Sequence, residues 1–548
     1  MRIESFVGAC VVLALLPFAQ AAESCREVRM LEGEHWWGLA TWWGEKMPFD
    51  ASTDVEIDIR EDGYANQYQS FMVSDQGRYI WCDGQTTVTI RGGRMKFVSD
   101  GADVLLVKAG ETLRDAFLAG AKDHFPPSGR TPDLMFYDAP QYCTWIELNF
   151  RQNENGILSY AKSMLDNGLP PGILMIDDTW QAGYGTWEFE PSRFADPKGM
   201  IGRLHDMGFK VLLWICPFVQ MDSPTYRYLS RGLNPFTLCH EKDVGGLLLD
   251  PGCRDSDQTA AVRWWNGKSA LLDFTHPFAC KWFSGECDRL ISKYGADGFK
   301  FDAGHLIFYT RGYRAHKDVS SGLQARAYGE FCLKYPVCEF RNAYGLAGQP
   351  IVERLNDKGH NWDDLGKCVT DLLAAGLLGY SFICPDMIGG GLLGSFMDGV
   401  KIDEELFVRS CQMQALCGMM QFSASPWRVL SSENQELVRQ SVRLRQKFAP
   451  YFVETAKACA QTGEPFLRAL EYSYPKCGYV GIRDEFLVGE NLLVAPVLEK
   501  GAVSREVTIP PGRWRMDDEK VVEGPSRITV ETPLARLPYM VKAAADSL

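Results

Sequence analysis

The chain lacks the sequence marks of several common protein classes. It has no CxxC pair, and its eight histidines form neither an HExxH motif nor an i,i+4 pair, so a structural zinc is not expected. No Gly-x-Gly-x-x-Gly follows an early strand, which removes the fingerprint of a dinucleotide-binding fold. Basic runs are absent and the net charge is −13, which argues against nucleic acid or an anionic membrane surface as partner. Beyond residue 22 no apolar run approaches the roughly 18 residues needed to span a bilayer. Neither a cofactor nor a metal is expected, and the sequence sets no oligomeric state.

What is present begins with a leader. Arg2, the apolar run Phe6 to Phe18 and Ala19-Gln20-Ala21 have the three parts of a secretory signal over residues 1–22. The expectation is an exported protein, periplasmic or secreted. Cys10 belongs to that leader, so 16 of the 17 cysteines remain after it. An even count in an oxidising compartment permits disulfides. Cys239 with Cys253 is the favoured pair and Cys25 with Cys82 the second. Cys216, Cys384, Cys411 and Cys417 sit in apolar runs and read as buried thiols.

At 548 residues the chain has room for a large barrel with satellite domains. Residues 23–125 alternate in short stretches such as Asp54-Val-Glu-Ile-Asp-Ile-Arg, separated by Gly-rich turns, and predict an antiparallel β-sandwich. Phe125-Pro126-Pro127-Ser128-Gly129 reads as a linker. Over 130–450 the texture becomes strand, helix, strand. Apolar runs lie at Gly172–Ile176, Lys210–Ile215, Gly298–Phe301 and Gly379–Ile383, Cys143–Glu147 reads as extended, and residues 220–265 look like an insertion. Several of these strands end in acidic or aromatic residues, which favours an α/β fold of (β/α)8 barrel type. Alternation returns over 451–548 and predicts one or two small C-terminal β-domains.

The stretch Gly298-Phe-Lys-Phe-Asp302-Ala-Gly304 brings an acid to the C-terminal tip of a buried strand, where barrels mount reacting groups. Asp302 could equally cap the following helix. A barrel with acidic strand tips suggests glycoside hydrolysis, which needs two carboxyl groups. The second candidate, Asp357, lies in a loop five residues before Trp362, where a surface acid would also be ordinary.

Arg341-Asn342 sixteen residues before Asp357, Ala347-Gly348 between them, Trp362 after it and Asp386-Met-Ile-Gly389-Gly390 keep the spacing of a known family. The chain resembles glycoside hydrolase family 31 over most of its length. The stretch Trp265-Asn-Gly…Asp273-Phe-Thr-His-Pro277 is similar to the family's segment before its nucleophile strand. The resemblance implies that Asp302 is the nucleophile, Asp357 the acid/base and Asp177 a holder of a sugar hydroxyl. Lys300, Arg354 and Ser423 stand where the family's α-glucosidases carry Trp, Trp and His, and His305 replaces a commoner acid. Lys-Phe-Asp-Ala-Gly, with Ser74…Gly77-Arg-Tyr-Ile-Trp81 upstream, resembles the branch containing α-galactosidases and the myogenesis-regulating glycosidase.

The residue roles follow. Lys300, alternating onto the side of Asp302, would keep that acid ionised or touch the sugar. Arg341 could hold a hydroxyl or carboxylate, and Trp265 and Trp214 could offer flat faces, with core packing the alternative for each. One of Asp177 and Asp178 is expected to cap a helix. The expected activity is that of a retaining, exo-acting α-glycosidase on an oligosaccharide or glycoconjugate, foremost an α-galactosidase. The alternatives are an N-acetylgalactosaminide, xyloside or glucoside specificity, or a carbohydrate-binding protein with weak catalysis.

Overall fold

A computed structural model describes residues 24–59, 66–100, 102–231, 248, 260–309, 313, 315–397 and 399–543. Eight short parallel strands form the centre. They are β1 (Gln141–Cys143), β2 (Ile173–Ile176), β3 (Lys210–Ile215), β4 (Gly298–Phe301), β5 (Cys338–Phe340), β6 (Val352–Arg354), β7 (Ile383–Cys384) and β8 (Gln421–Phe422). They pair in chain order from β1 to β7, and β8 lies against β1. A parallel bridge from Met387 to Gln421 joins the β7 loop to β8 and completes the ring. Strands such as Ile173-Leu-Met-Ile are buried on both faces, which is why they read as unbroken apolar runs.

Helices cover the outside. Among them are α1 (Glu154–Asp166), α2 (Pro197–Asp206), α3 (Pro277–Tyr294), α4 (Ser321–Cys332), α5 (Trp362–Leu377), α6 (Glu404–Ala415) and α7 (Ser432–Thr462). Their starts follow capping chemistry: Asn153, Asp196, Ser320, Asn361 and Asp403 each accept a backbone N–H from the first turn. The β5–β6 connection carries no helix, only the loop from Arg341 to Ile351. That loop presents Arg341 at the C-terminal end of the ring.

Before the barrel, two four-stranded antiparallel sheets face each other. One contains Thr86–Arg91, whose alternate residues Thr86, Val88 and Ile90 are buried; the other contains Tyr68–Ser74. After it comes a six-stranded antiparallel sheet, with a core that includes Leu487, Leu493, Val507, Ile509 and Trp514. Arg409 on α6 fixes this last unit. Its buried guanidinium donates to the carbonyls of Thr532 (2.7 Å) and Arg536 (2.8 Å).

Several local expectations change. Cys143–Glu147 is not one extended run: β1 ends at Cys143 and Trp145–Leu148 turns into helix, so the backbone bends at the strand tip. The Gly379–Ile383 run shortens to Ile383–Cys384 because Gly379, at φ 87°, belongs to the turn leaving α5. The flanks of the expected insertion are ordered elements, a helix over Pro224–Arg231 and an antiparallel sheet of Phe218–Gln220, Val262–Trp264 and Gly267–Leu271. Cys25 and Cys82 do not pair: both are free thiols, Cys25 exposed and Cys82 buried. Cys216, Cys384, Cys411 and Cys417 are buried free thiols. Residues 1–22, Cys239 and Cys253 lie outside the described residues.

Arg409→Met removes donors from two carbonyls that no apolar side chain can serve. Hydrogen bonds to a charged group are worth about 1.5–3 kcal/mol, so amide exchange over 504–542 should rise while that of the barrel strands stays put. Uniform exchange in parent and variant would show that Arg409 does not hold the C-terminal unit.

Candidate active site

Asp302 follows β4 directly, and its backbone N–H still bonds to the Ile215 carbonyl of β3 at 2.9 Å. The side chain therefore leaves the ring at its C-terminal rim. Oδ2 accepts the Trp214 indole N–H at 2.7 Å and Oδ1 accepts the Ala303 amide at 2.8 Å. Neither bond caps a helix. Ala303 holds a left-handed φ of 57° and Gly304 one of 73°, so the chain turns sharply just past the acid. A side chain on Gly304 would meet the Tyr328 ring at 2.3 Å, and Tyr328 donates its hydroxyl to the Asp302 carbonyl. Burial pushes the Asp302 carboxyl up, but Arg341, Lys300, Arg354 and the Trp214 bond together outweigh it and hold Asp302 below its usual range.

Asp357 faces it across Arg341. The same guanidinium nitrogen, Nη1, lies 3.4 Å from Asp302 Oδ1 and 3.5 Å from Asp357 Oδ2, so these two oxygens are at most about 7 Å apart. Retaining glycosidases set their carboxyls roughly 5–5.5 Å apart and inverting ones roughly 6.5–9.5 Å. The bound on this one oxygen pair admits the retaining spacing.

Arg354, fully buried at the end of β6, grips the other Asp357 oxygen at 2.6 Å. Its Nη1 also reaches Asp386 Oδ1 at 2.7 Å, and its Nε lies 3.4 Å from Glu339. Burial raises the Asp357 carboxyl, yet Arg341 and Arg354 more than reverse this and hold it well below the usual range. Asp386 and Glu339 go the other way, pushed up chiefly by burial.

Lys300 forms a second charge centre. Its Nζ donates to Asp177 Oδ2 at 2.6 Å and lies 3.9 Å from Glu339. Burial disfavours the ammonium, but Asp177, Cys143 and Glu339 together outweigh it and hold Lys300 above its usual range. Cys143 at the tip of β1 donates its thiol to the same Asp177 oxygen at 3.0 Å. Lys300 thus touches Asp177 rather than Asp302.

Neither Asp177 nor Asp178 caps a helix, because a β-hairpin, not a helix, follows β2. Trp214 offers its N–H to Asp302 and is itself fully buried, so it presents no flat face to a ligand. Trp265 does: it is 49% exposed, with the Arg341 guanidinium stacked 5.2 Å from its ring centre. The two catalytic candidates with Arg341 and Trp265, and Asp177 with Lys300, therefore share one rim.

Reading the sequence locally misses the contribution of the N-terminal unit. Gln67 donates to the Arg354 carbonyl at 2.9 Å, Asn66 approaches both that carbonyl (2.8 Å) and His305 Nε2 (3.1 Å), and the Tyr68 hydroxyl accepts the Leu306 amide at 2.8 Å. These residues lie more than 200 positions before their partners, so no local spacing could reveal them. Arg341 Nε donates to His305 Nε2 at 2.9 Å, which requires a neutral ring there. Burial and Arg341 agree, holding His305 down at about 3. Ser423 Oγ accepts the Ile146 amide at 2.7 Å and anchors the loop after β1.

A closed parallel barrel with two facing carboxylates on its C-terminal rim has the parts that glycosidic-bond cleavage needs. Residues 140–455 match the Glycosyl hydrolases family 31 TIM-barrel domain, and residues 463–545 match the Glycosyl hydrolase family 31 C-terminal domain. The chain belongs to glycoside hydrolase family 31.

Among relatives, it is 33% identical to the myogenesis-regulating glycosidase of Mus musculus, over 72% of this chain and 54% of that protein. It is 24% identical to an alpha-xylosidase of Emericella nidulans, over 90% of this chain and 67% of that one. The chain thus spans about half to two thirds of the length of these curated relatives. A GH31 alpha-xylosidase from a soil metagenome, solved with xylose, superposes with a TM-score of 0.81 at 19% identity, covering 96% of this chain and 80% of that one. At that identity the superposition speaks for the fold alone.

The Lys300–Asp177 pair gives a direct test of the charge arrangement. Lys300→Met leaves a buried carboxylate without its cation, a change that costs about 3–5 kcal/mol. Combining it with Asp177→Asn should recover most of that loss in thermal or denaturant unfolding. A double variant as unstable as the single one would refute the pairing as the source of the cost.

Proposed function

We propose that this protein is a retaining, exo-acting α-glycosidase whose nucleophile is Asp302 and whose acid/base is Asp357. The observation that carries the reading is the single Arg341 nitrogen lying between both carboxylates at the rim of the barrel. In the first step an Asp302 oxygen bonds to the anomeric carbon as the bond to the leaving oxygen breaks. The leaving oxygen keeps that electron pair and takes the Asp357 proton. Water then attacks the glycosyl ester, Asp357 accepts its proton, and Asp302 departs as carboxylate. Two inversions give net retention.

Terminal α-galactose is the substrate we assign. Galactose carries an axial 4-hydroxyl, so its pocket must differ from that of a glucosidase at the wall near that carbon. Lys300 and Arg354 replace two flat aromatic residues with cations, and Ser423 replaces an imidazole donor. Asp177, held by Lys300 and Cys143, is a fixed acceptor for a sugar hydroxyl. The leader fits this reading with export and a substrate met outside the cytoplasm. One observation favours the weakly catalytic alternative: Asp357 sits against two guanidiniums, which opposes the protonated form that a general acid needs.

Asp302→Ala should abolish turnover of an aryl α-galactoside while leaving the fold intact, and NMR of the parent reaction should detect α-galactose first. Residual turnover within tenfold of the parent, or β-galactose as first product, would sink the assignment.

Sites built to pair a hydroxyl reject the wrong sugar by roughly 10⁴-fold or more. Discounting that figure, kcat/KM for aryl α-galactoside should exceed that for aryl α-glucoside by about a hundredfold. Equal values, or a preference for xyloside or N-acetylgalactosaminide, would overturn galactose and leave the two-carboxylate mechanism standing.

General acid help is worth about 10²–10⁴-fold. Asp357→Ala should therefore damage alkyl galactosides far more than activated aryl ones. Because Arg341 and Arg354 hold Asp357 below its usual range, the alkyl substrates should turn over faster as pH falls toward that range. An alkyl rate that rises toward alkaline pH would count against Asp357 as the proton donor.

A further inference from the structure

Trp265 stands at the tip of a hairpin, beyond the three-stranded pairing that fixes the hairpin's base. Trp264 pairs with Gly267, so Trp265 and Asn266 are the two-residue turn between strands of three and five residues. The third strand, Phe218–Gln220, pairs with Ser269–Leu271 and does not reach the two turn residues. The Trp265 ring nevertheless lies over Arg341, with His305 6.4 Å away edge-on.

Asn266 ties this tip to the barrel. Its Nδ2 donates one hydrogen to Asp178 Oδ2 at 2.9 Å and the other to the Tyr184 hydroxyl at 2.7 Å. Tyr184 in turn donates its own hydrogen to Asp178 Oδ2 at 3.0 Å. The three groups form a closed ring in which each hydrogen is donated once and Asp178 Oδ2 accepts two of them. The second Asp178 oxygen accepts the Thr179 amide and the Gln181 side chain, so all four contacts to this carboxylate are donors. Thr179 follows with a left-handed φ of 73°, which turns the chain away immediately past the anchor. Tyr184 also packs edge-on against Trp264 at 4.7 Å and against Trp214 at 6.0 Å, and Trp214 is the residue bonded to Asp302.

We propose that Asp178, Asn266 and Tyr184 are positioning residues that hold the Trp265 ring at the sugar site and register it against Asp302 and Arg341. The proposal rests on the reading of this rim as a glycosidase site. It adds that Asp178, unlike its neighbour Asp177, serves the substrate through the hairpin tip rather than by touching it. Displacing a binding surface by about 1 Å costs up to 10²-fold, so breaking the ring should be felt in turnover although none of its members meets the reacting atoms.

The test is a double-mutant cycle on aryl α-galactoside turnover, using Asn266→Ala and Tyr184→Phe, each alone and combined with Trp265→Ala. Tyr184→Phe keeps the ring packing and removes only the hydroxyl, which guards against a variant that fails to fold. Each single variant should lower kcat/KM by about ten- to a hundredfold, and each should lose less than about twofold more in the Trp265→Ala background, because coupled residues do not add. Losses that multiply in full in that background would overturn the proposal, as would single variants that match the parent. A Trp265→Ala variant with parental kcat/KM would instead refute Trp265 as a sugar surface.

Should the parent turn over no aryl α-glycoside, the glycosidase reading fails and amide exchange decides the latch alone. Faster exchange over 262–271 in both variants supports it, and unchanged exchange overturns it.

Discussion

The charge cluster at the rim of this barrel follows from one constraint: its buried carboxylates, Asp178 apart, are matched by cations that are themselves shared. Asp302, Asp357, Asp386, Asp177 and Glu339 crowd around Arg341, Arg354 and Lys300. No acid has a cation to itself except Asp177, and even its Lys300 lies within 4 Å of Glu339. An unshared buried ion would be costly, since desolvation of each ion amounts to several kcal/mol. Sharing makes the protonation state of each acid depend on its neighbours. It also explains the contacts from the N-terminal unit. The carbonyl of Arg354 accepts from Gln67 and faces Asn66, so the backbone that aims the guanidinium is braced from outside the barrel.

Under the proposed mechanism, the same sharing lets a carboxyl held low in the free protein serve both steps. While Asp302 is ionised, it competes with Asp357 for Arg341. Once Asp302 is esterified, its negative charge is gone and Arg341 acts on Asp357 alone. The Asp357 pKa then falls further, the direction required for a base that must take a proton from water. Before esterification the competition raises it toward the acid role. Arg354 opposes the acid role in both steps, because Asp386 shares it whatever the state of Asp302. A good leaving group relieves the need for a proton in the first step, and the second step gains from the same cations. The weak point of the design is thus confined to the first step on poor leaving groups.

The parts legible in the sequence were those encoded by period and terminus. Ile173-Leu-Met-Ile and Lys210–Ile215 are apolar throughout because both faces are covered, and the acids after β2 and β4 stand out against that background. Asp357 was a loop acid like many others until the resemblance to the family singled it out, and its loop does return to the Arg341 guanidinium. What stayed hidden depends on packing between distant segments. The Trp214 indole is indistinguishable from a sugar platform until its N–H is found on Asp302. Asp177 and Asp178 look alike in the chain, yet one faces Lys300 and the other the Asn266 tip, since successive residues point to opposite sides. The expectation that Cys25 pairs with Cys82 failed because the sequence does not show that one thiol faces solvent and the other the core.

Backbone strain marks the same rim independently of charge. Of the seven non-glycine residues with positive φ among those described, Thr179, Ala303 and Asp386 follow the tips of β2, β4 and β7. Each left-handed residue costs about 1–2 kcal/mol, and such costs persist only where the surroundings over-determine the geometry. Here they do. Ala303 is pinned because its amide bonds to Asp302 and Gly304 beyond it leaves no room for a side chain against Tyr328. Asp386 is pinned by Arg354 on one oxygen and by the Lys358 and Gly391 amides on the other. That second oxygen ties the β7 loop to the amide of Lys358, the residue after Asp357. The strain is therefore the backbone counterpart of the shared charges: it falls at the strand tips that carry them.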